Sequence, residues 1–229
     1  MTTQGAIVTG GTGALGRAVV AHLLARGDRV AVPYRSAPGF EALRAAAGGS
    51  AALWGAEADI ADIDSARRFV DAAAAWLGRL DAVACLAGGF KGGATLEATP
   101  ASDWDAMLRV NLASVHATCR AALPHLLKEG GSVVTVSSRA ADTGGAGAAA
   151  YAASKAAVVA LTRALCLENV DRGVRFNTIS PSIIDTDANR HAMPKADRSQ
   201  WTSPEDIAKV VAFLLSPASA TITGAVIPV

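Results

Sequence analysis

Hydrophobic positions fall into two kinds of run that alternate along the chain. Short, nearly continuous apolar runs predict buried strands, and longer runs with apolar residues three or four positions apart predict helices. The strand-like runs are GAIVTG, RVAVPY, LDAVACLAGG, GSVVTVSS, VRFNTISPS and GAVIPV. The helix-like runs are ALGRAVVAHLLARG, IDSARRFVDAAAAWLG, ASDWDAMLRVNLASVHATCRAALPHLL, YAASKAAVVALTRALCLEN and SPEDIAKVVAFLLS.

Residues typical of helix ends mark three of these helices. Gly27 is expected to end the first helix, and Ser102 or Asp103 is the predicted N-cap of the long third helix. Ser203 is the predicted N-cap of the last helix, with Pro204 at its first position. These residues give the predicted elements defined limits.

Regular alternation of strands and helices predicts an α/β fold. Strands that are apolar on both faces indicate a doubly wound parallel sheet, here of about seven strands, with helices on both faces. No linker or repeat divides the sequence, so residues 1–229 are predicted to form one domain. Ligands of such sheets bind at the carboxyl ends of the strands. The segments after AIVTG, VAVPY, ACLAGG, TVSS and TISPS are therefore expected to converge on one cleft.

Composition narrows the class of protein. Hydrophobic residues make up 51% of the chain, which excludes a disordered tail protein, and 21 basic residues nearly balance 20 acidic ones. That balance gives no electrostatic reason to expect a nucleic-acid partner. No apolar run reaches the ~20 residues of a membrane span, and the N-terminal segment enters the first strand without a signal-like region. We therefore expect no membrane partner and, by default, a cytoplasmic location.

Cysteine and histidine residues give no sign of a metal site. The three cysteines lack CxxC spacing and are interpreted as small buried thiols. The four histidines are scattered, without a pair spaced as in HExxH. No metal is expected.

The segment TGGTGALG, from Thr9 to Gly16, lies directly between a predicted strand and a predicted helix. Its spacing Gly11-x-Gly13-x-x-Gly16 allows a tight turn and a close approach of the backbone to a pyrophosphate, which the helix N-terminus would bind. The alternative is a plain tight turn. The predicted dinucleotide contacts of this segment are Gly10, Thr12, Gly13, Leu15 and Gly16.

The end of the second strand bears on the choice of dinucleotide. An acidic residue there would bind the ribose hydroxyls of NAD, but VAVPYRS carries Arg35 and Ser36 instead. A guanidinium beside a hydroxyl suits a 2′-phosphate, and Asp28 precedes the strand and so lies at the wrong end. NADP(H) is therefore favoured and NAD(H) is possible. Arg35 as a solvated surface residue is the alternative.

Seven motifs in one order resemble the short-chain dehydrogenases/reductases over essentially the whole chain. They are TGGTGALG, ADI, LAGG, RVNL, VSS, YAASK and SPSIIDT. The resemblance implies a single-domain Rossmann fold and further cofactor contacts. It implies Asp59 and Ile60 at the adenine, Ala87 and Gly88 at the ribose, and Pro181, Ile184 and Thr186 at the nicotinamide carboxamide.

Three positions depart from the usual pattern of this family: Ala14 in the glycine turn, Leu86 in place of an asparagine, and Ser182 after the proline. The first two, with CLAGGFKGG and DTDANRHAMPKADRSQW, are similar to dihydropteridine reductase. Arg35 and Ser138 depart from that enzyme, which has an acid after its second strand and no catalytic serine. A pterin reductase is therefore an alternative function.

Tyr151 and Lys155 lie one helical turn apart in YAASK. A tyrosine is a poor acid near neutral pH because its pKa is about 10, and the lysine ammonium is expected to favour the phenolate. Ser138, thirteen positions earlier at a strand end, can donate a hydrogen bond to a substrate oxygen. The resemblance implies that Lys155 also holds the nicotinamide ribose and that Asn111 orders a water for proton relay. Each of these residues, taken alone, could instead be a structural or surface residue without a catalytic role.

The predicted reaction is reduction of a small-molecule carbonyl, or oxidation of the alcohol, with Tyr151 as general acid/base. A regulatory protein that binds the cofactor without catalysis is a second alternative. Asp187 to Thr202 is expected to form a mobile substrate lid. Several cations are consistent with an anionic substrate or with a solvated surface: Lys91, Arg190, His191, Lys195 and Arg198.

The resemblance also implies a homodimer or homotetramer. Small side chains on the YAASK helix would let another helix approach closely, although helix propensity alone also explains them. They are Ala152, Ala153, Ala156, Ala157 and Ala160.

Overall fold

The computed structural model describes residues 3–229. Met1 and Thr2, which begin the predicted domain and its N-terminal segment, lie outside the described residues. Seven strands form a single sheet in the order β3-β2-β1-β4-β5-β6-β7, and every pair of neighbours is parallel. The strands are β1 Gly5–Thr9, β2 Arg29–Tyr34, β3 Leu53–Glu57, β4 Ala82–Cys85, β5 Gly131–Val136, β6 Val174–Ser180 and β7 Val226–Pro228.

The helices cover both faces of this sheet. They are α1 Ala14–Ala25, α2 Ala37–Ala46, α3 Ile63–Leu77, α4 Ala101–Met107, α5 Ser114–Leu126, α6 Ala140–Thr143, α7 Ala149–Asn169, α8 Asp187–Ala192 and α9 Pro204–Leu215. A π-helix, Leu108–Ala113, joins α4 to α5, and short 3-10 helices span Leu96–Ala98, Val170–Arg172 and Pro217–Ser219. The predicted doubly wound α/β architecture is therefore confirmed.

Two apolar layers hold the helices against the sheet. Alternate residues of β1 point to opposite faces, so Val8 joins the layer beneath α1 and α9 while Ile7 joins the layer beneath α3, α5 and α7. Both side chains are fully buried. Burial on both faces explains why the strands are continuous apolar runs.

The third strand and the helix before it were missing from the prediction. Leu53–Glu57 is an edge strand, and only Leu53 is buried, so its apolar signal is weak. A Cβ at Gly55 would collide with the ring of Phe40 in α2. Although glycine is a poor strand former, it leaves the space that this aromatic ring occupies.

The long predicted helix differs from the prediction at its start and in its middle. Pro100 occupies the N-cap, so the predicted caps Ser102 and Asp103 are wrong: both lie inside the first turn of α4. The π-helix then interrupts the α-helical hydrogen bonding. The predicted cap of α9 is confirmed, because the Ser203 hydroxyl accepts a hydrogen bond from Asp206 N at 3.1 Å. Gly27, with φ of 93°, follows the end of α1 as predicted.

Helix α7 is the longest of the described elements. With the 3-10 turn after it, residues Ala149–Arg172 are long and apolar enough to cross a membrane, with a mean hydropathy of 1.3. In this fold its buried side chains, among them Val158, pack on the sheet. Part of its apolar character is therefore used in the core, since 39% of the apolar window is buried.

Candidate active site

A cleft of about 1200 Å³ opens at the carboxyl ends of the strands. Residues that directly follow β1, β2, β4, β5 and β6 line it, as predicted: Gly10, Arg35, Leu86, Ser137 and Pro181. The crossover from β1 to β4 in the middle of the sheet is where such folds bind nucleotides.

The glycine turn at the end of β1 forms a cradle. Gly10 has φ of 67° and its carbonyl accepts a hydrogen bond from Gly13 N at 2.9 Å. A Cβ at Gly16 would collide with that same carbonyl, so only glycine fits there. Helix α1 begins beside the turn with no side-chain cap and no acid in its first turn, which leaves backbone N–H groups for an anion. All five residues predicted in this segment line the cleft: Gly10, Thr12, Gly13, Leu15 and Gly16. The cradle fits a pyrophosphate.

The end of β2 separates two predicted residues. Arg35 is exposed and lines the cleft. Ser36 instead caps α2, accepting a hydrogen bond from Gly39 N at 3.4 Å, and it does not line the cleft. Asp28 lies at the opposite end of the strand, as the sequence predicts, and there it is buried and pairs with Arg26.

Asp59 lies at the same end of the cleft as Arg35. A hydrogen bond from Ala61 N at 3.0 Å, together with Arg109 and the charge of Arg35, holds the pKa of the Asp59 carboxyl below its usual value. The ion pair between Arg109 and Asp59 joins the π-helix to this loop, and the sequence gives no sign of it. Three further predicted residues also line the cleft: Ile60, Ala87 and Gly88.

Ser138 and Tyr151 meet in the cleft. Ser138 follows the end of β5 and Tyr151 lies in the first turn of α7. Burial raises the pKa of Tyr151 above its ordinary value of 10.0, and the Ser138 hydroxyl acts in the opposite direction by stabilising the phenolate. Ser137 is directed elsewhere, because its hydroxyl donates to the backbone carbonyl of Lys155 at 2.9 Å. The two serines therefore point apart, as strand alternation predicts.

Lys155 is buried beneath Tyr151. Its Nζ donates to the Val136 carbonyl at 3.0 Å and lies 5.9 Å from the centre of the Tyr151 ring. Burial lowers the pKa of Lys155 from 10.5 to about 8. The sequence predicts that this ammonium lowers the pKa of Tyr151. In the structure that pKa is raised, because burial of the phenol is the larger effect.

Asn111 lies behind the cleft wall, in the π-helix. Its Oδ1 accepts from Gly89 N at 3.0 Å, and its Nδ2 donates to Gly89 O at 3.1 Å and to Ser154 Oγ at 3.0 Å. The Ser154 hydroxyl in turn donates to the Tyr151 carbonyl at 2.7 Å. Asn111 therefore ties the loop after β4 to the first turn of α7. Ser154 is not among the site residues predicted from the sequence, although its position between Tyr151 and Lys155 could have indicated a role.

The segment after β6 closes the cleft. Pro181, Ile184 and Thr186 line it, and the Thr186 hydroxyl caps α8 by accepting from Asn189 N at 3.2 Å. The predicted lid, 187–202, consists of α8 and a loop that returns to pair Thr202 with Ile184. Its contributions to the cleft are Asn189, Ala192 and Met193. The mobility of the lid stays a prediction.

The cysteines are buried and free, as predicted for small apolar thiols: Cys85, Cys119 and Cys166. Within residues 3–229 no three His, Cys, Asp or Glu side chains are grouped as a metal site requires.

A glycine cradle beneath the first βα turn, with a serine, a tyrosine and a lysine at the neighbouring strand ends, defines a class of protein: the dinucleotide-dependent oxidoreductases with a Rossmann fold. The comparisons with known proteins refine this class to a family.

The family described as Enoyl-(Acyl carrier protein) reductase matches residues 11–229. The chain is 36% identical over 231 residues to D-threitol dehydrogenase of Mycolicibacterium smegmatis, covering 96% of this chain and 88% of that protein. It is 34% identical over 233 residues to acetoacetyl-CoA reductase of Synechocystis sp., covering 97% and 93%. The solved structure of a short-chain type dehydrogenase/reductase from Mycobacterium ulcerans superposes with a TM-score of 0.94 at 29% identity, covering 100% and 90%.

The chain therefore belongs to the short-chain dehydrogenase/reductase family, whose members are oxidoreductases that bind NAD(P). The local similarity to dihydropteridine reductase is not shown by these comparisons.

Proposed function

We propose that the protein reduces a carbonyl compound with NADPH, or oxidises the corresponding alcohol, with Tyr151 as general acid/base. The observation that carries the proposal is that Ser138 and Tyr151 line one cleft, close enough for the Ser138 hydroxyl to act on the pKa of the Tyr151 phenol, above buried Lys155. When bound, the cofactor supplies the hydride. The protein must then place a proton on the oxygen that gains negative charge.

Tyr151 is suited to give that proton. Burial raises the pKa of its phenol, so Tyr151 holds its proton at neutral pH. Ser138 stabilises the phenolate and so favours release of the proton at Oη when the substrate needs it. In the proposal the Ser138 hydroxyl also donates a hydrogen bond to the substrate oxygen, as in an oxyanion hole.

Lys155 and Asn111 support this pair in different ways. Nζ of Lys155 is near Gly88, where an added Cβ would lie 3.2 Å away, so the ammonium faces the predicted ribose position. We assign Lys155 to the ribose hydroxyls of the cofactor. Because the side-chain amide of Asn111 is bonded to Gly89 and Ser154, we treat Asn111 as a positioning residue. The proton relay through a water near it is part of the proposal.

The preference for NADPH rests on Arg35. It is exposed at the end of β2, and within residues 3–229 it forms no ion pair. An unpaired guanidinium suits a 2′-phosphate. The nearest carboxylate, Asp59, is paired with Arg109 and is thus less able to repel that phosphate.

The cofactor preference is tested by titrating NADPH and NADH into the wild type and Arg35→Ala. We expect Arg35→Ala to weaken NADPH binding about 10- to 100-fold, the value of a charge-assisted hydrogen bond, while NADH changes little. Arg44→Ala is the control, because Arg44 is an exposed arginine of α2 outside the cleft. Equal binding of both cofactors, unchanged in Arg35→Ala, would contradict the preference.

The activity is tested by a screen of NADPH oxidation over ketones, quinones, pterins and acyl thioesters. We expect turnover on carbonyl compounds, and its loss in Tyr151→Phe. Activity on a quinonoid dihydropterin alone would favour a pterin reductase instead. Tight NADPH binding without turnover across the panel would favour a regulatory protein.

We further propose that the protein is a cytoplasmic homo-oligomer that joins through α5 and α7. Ala153, Ala156 and Ala160 are exposed along α7, and Leu167 on the same helix is 80% exposed. A groove of about 340 Å³ lies between α5 and α7. Light scattering on the purified protein tests the oligomeric state, and a monomer at micromolar concentration would contradict the proposed assembly.

A further inference from the structure

Two cations that suggested an anionic substrate are engaged by carboxylates. Arg190 forms a two-point ion pair with Asp185, at 2.6 and 2.9 Å, and Lys91 pairs with Asp103. The other three lie outside the cleft within residues 3–229: His191, Lys195 and Arg198. The lid is therefore a poor source of charge for recognising a substrate.

Arg139 is a different case. It directly follows Ser138, lines the cleft and is exposed. Its backbone is held on both sides, because its N–H donates to the Pro181 carbonyl at 3.0 Å and its carbonyl accepts from the N–H groups of Asp142 and Thr143, each at 3.1 Å. The side chain forms no ion pair with any of residues 3–229. A fixed backbone thus holds, next in sequence to the proposed catalytic Ser138, an arginine that forms no ion pair.

The charges that line the cleft are uneven. Among residues 3–229 the carboxylate that lines it is Asp59, which lies at the adenine end and pairs with Arg109. Arg35 lies at that same end, and Lys155 is buried beneath Tyr151. Among residues 3–229 no carboxylate other than Asp59 lines the cleft, so Arg139 has no acidic counterpart among the lining residues near Ser138 and would attract an anion.

The surrounding wall is apolar. The Phe90 ring meets Tyr151 edge-on, with ring centres 5.0 Å apart, and 68% of its surface is exposed. Ile183 and Met193 also line the cleft. An exposed aromatic ring over the reacting tyrosine is suited to an apolar substrate body.

From these contacts we infer that the substrate is a carbonyl compound with an apolar body and one carboxylate, which Arg139 binds a few bonds from the reacting carbonyl. The planar guanidinium matches a carboxylate through two parallel hydrogen bonds. The inference rests on the proposed function. It makes Arg139 the residue that determines substrate specificity.

The test compares matched substrate pairs at saturating NADPH. Each pair is an oxo-carboxylate and its primary amide, and the set is 4-oxopentanoate, 5-oxohexanoate, 6-oxoheptanoate and 4-oxocyclohexanecarboxylate. We expect the wild type to use at least one carboxylate about 10- to 100-fold better than its amide in kcat/KM. Arg139→Met should remove that preference through KM and leave the amides almost unchanged. Added salt should raise KM for the carboxylate only.

Two variants serve as controls. Arg139→Lys keeps the charge without the two-point geometry and should restore part of the preference. Arg44→Met removes an exposed cation of α2 outside the cleft and should leave kcat/KM unchanged for both members of each pair. Because the Arg139 side chain is exposed, its replacement should leave the circular dichroism and the unfolding midpoint unchanged.

The outcomes separate the inference from the proposed function. Reduction of the amides with no preference for any carboxylate overturns the inference and leaves carbonyl reduction standing. A carboxylate preference that persists in Arg139→Met also overturns it. If no member of the set is reduced while other carbonyl compounds of the broader panel are, the inference falls and the proposed function stands; if no carbonyl compound of either set is reduced, the proposed function falls as well.

Discussion

Lys155 should make the protein less stable than it would be with an apolar side chain in its place. Only 6% of its surface is exposed, and burial lowers its pKa from 10.5 to about 8. In the unfolded chain the pKa returns to its ordinary value, so at neutral pH the unfolded state holds this proton more tightly than the folded state. A pKa unit corresponds to about 1.36 kcal/mol, so the charged lysine costs about 3 kcal/mol of folding free energy below pH 8.

Lys155→Met removes that cost and keeps a long apolar side chain. It also removes the hydrogen bond from Nζ to the Val136 carbonyl, worth about 1 kcal/mol. We therefore expect the variant to be about 2 kcal/mol more stable than the wild type near pH 6.5. The advantage should shrink as pH rises from about 8 to 10.5 and change sign above that range, because the lysine is then neutral in both states.

The assay is urea unfolding of the cofactor-free protein, followed by circular dichroism across this pH range. Lys128→Met is the control, since Lys128 is exposed, and it should stay within about 0.5 kcal/mol of the wild type at every pH. A Lys155→Met variant that is less stable than the wild type near neutral pH would refute the reasoning. So would a difference between the two proteins that does not depend on pH.

Three further predictions follow from the site. Gly16→Ala places a methyl group against the Gly10 carbonyl. We therefore expect urea unfolding to show a loss of more than about 2 kcal/mol in the free energy of unfolding, and titration to show weaker cofactor binding. Unchanged stability and affinity would contradict the cradle. Ser154→Ala removes an acceptor for the Asn111 amide. Turnover should fall and stability should drop by about 1–2 kcal/mol, while cofactor affinity stays unchanged. Unchanged turnover would contradict the positioning role of Asn111. Because the pKa of Tyr151 is raised, carbonyl reduction should change little near neutral pH and fall in alkali while alcohol oxidation rises; the opposite pH profiles would contradict its role.

The cleft could be predicted from the sequence because its parts are local. Gly16 must approach Gly10 within one tight turn, and Ser138 is carried to the cleft by the end of an apolar strand. Such features leave a fixed spacing or a strand end in the sequence. Helix α7 is readable for the same reason, since Tyr151 and Lys155 occupy one face of a single helix.

Contacts between distant segments could not be predicted in this way. Arg109 pairs with Asp59 across 50 positions, and nothing in either local sequence names the other. The π-helix that buries Asn111 is also invisible, because one irregular turn hardly changes the apolar spacing of a long helix. The raised pKa of Tyr151 depends on how deeply its ring is buried, which is a property of the assembled fold.

The edge strand shows a different limit. Leu53–Glu57 is paired on one side only and mostly half-buried, so its sequence lacks a continuous apolar run. The role inferred for Arg139 could not be predicted either, because an arginine after a strand end is common in sequences. Only its lack of an ion-pair partner in the cleft, together with the exposed apolar ring of Phe90 against Tyr151, indicates a role in recognition.

The central claim is that Tyr151 supplies the proton for carbonyl reduction, and a single-turnover measurement tests it most directly. The chain has two tyrosines, so Tyr34→Phe, which keeps the ring stack on Phe40 at 4.7 Å, is a matched control. With saturating NADPH and carbonyl substrate, Tyr151→Phe should slow NADPH oxidation at least about 100-fold while its cofactor affinity stays near the wild-type value. Tyr34→Phe should react at the wild-type rate. Near-normal hydride transfer in Tyr151→Phe would contradict the account.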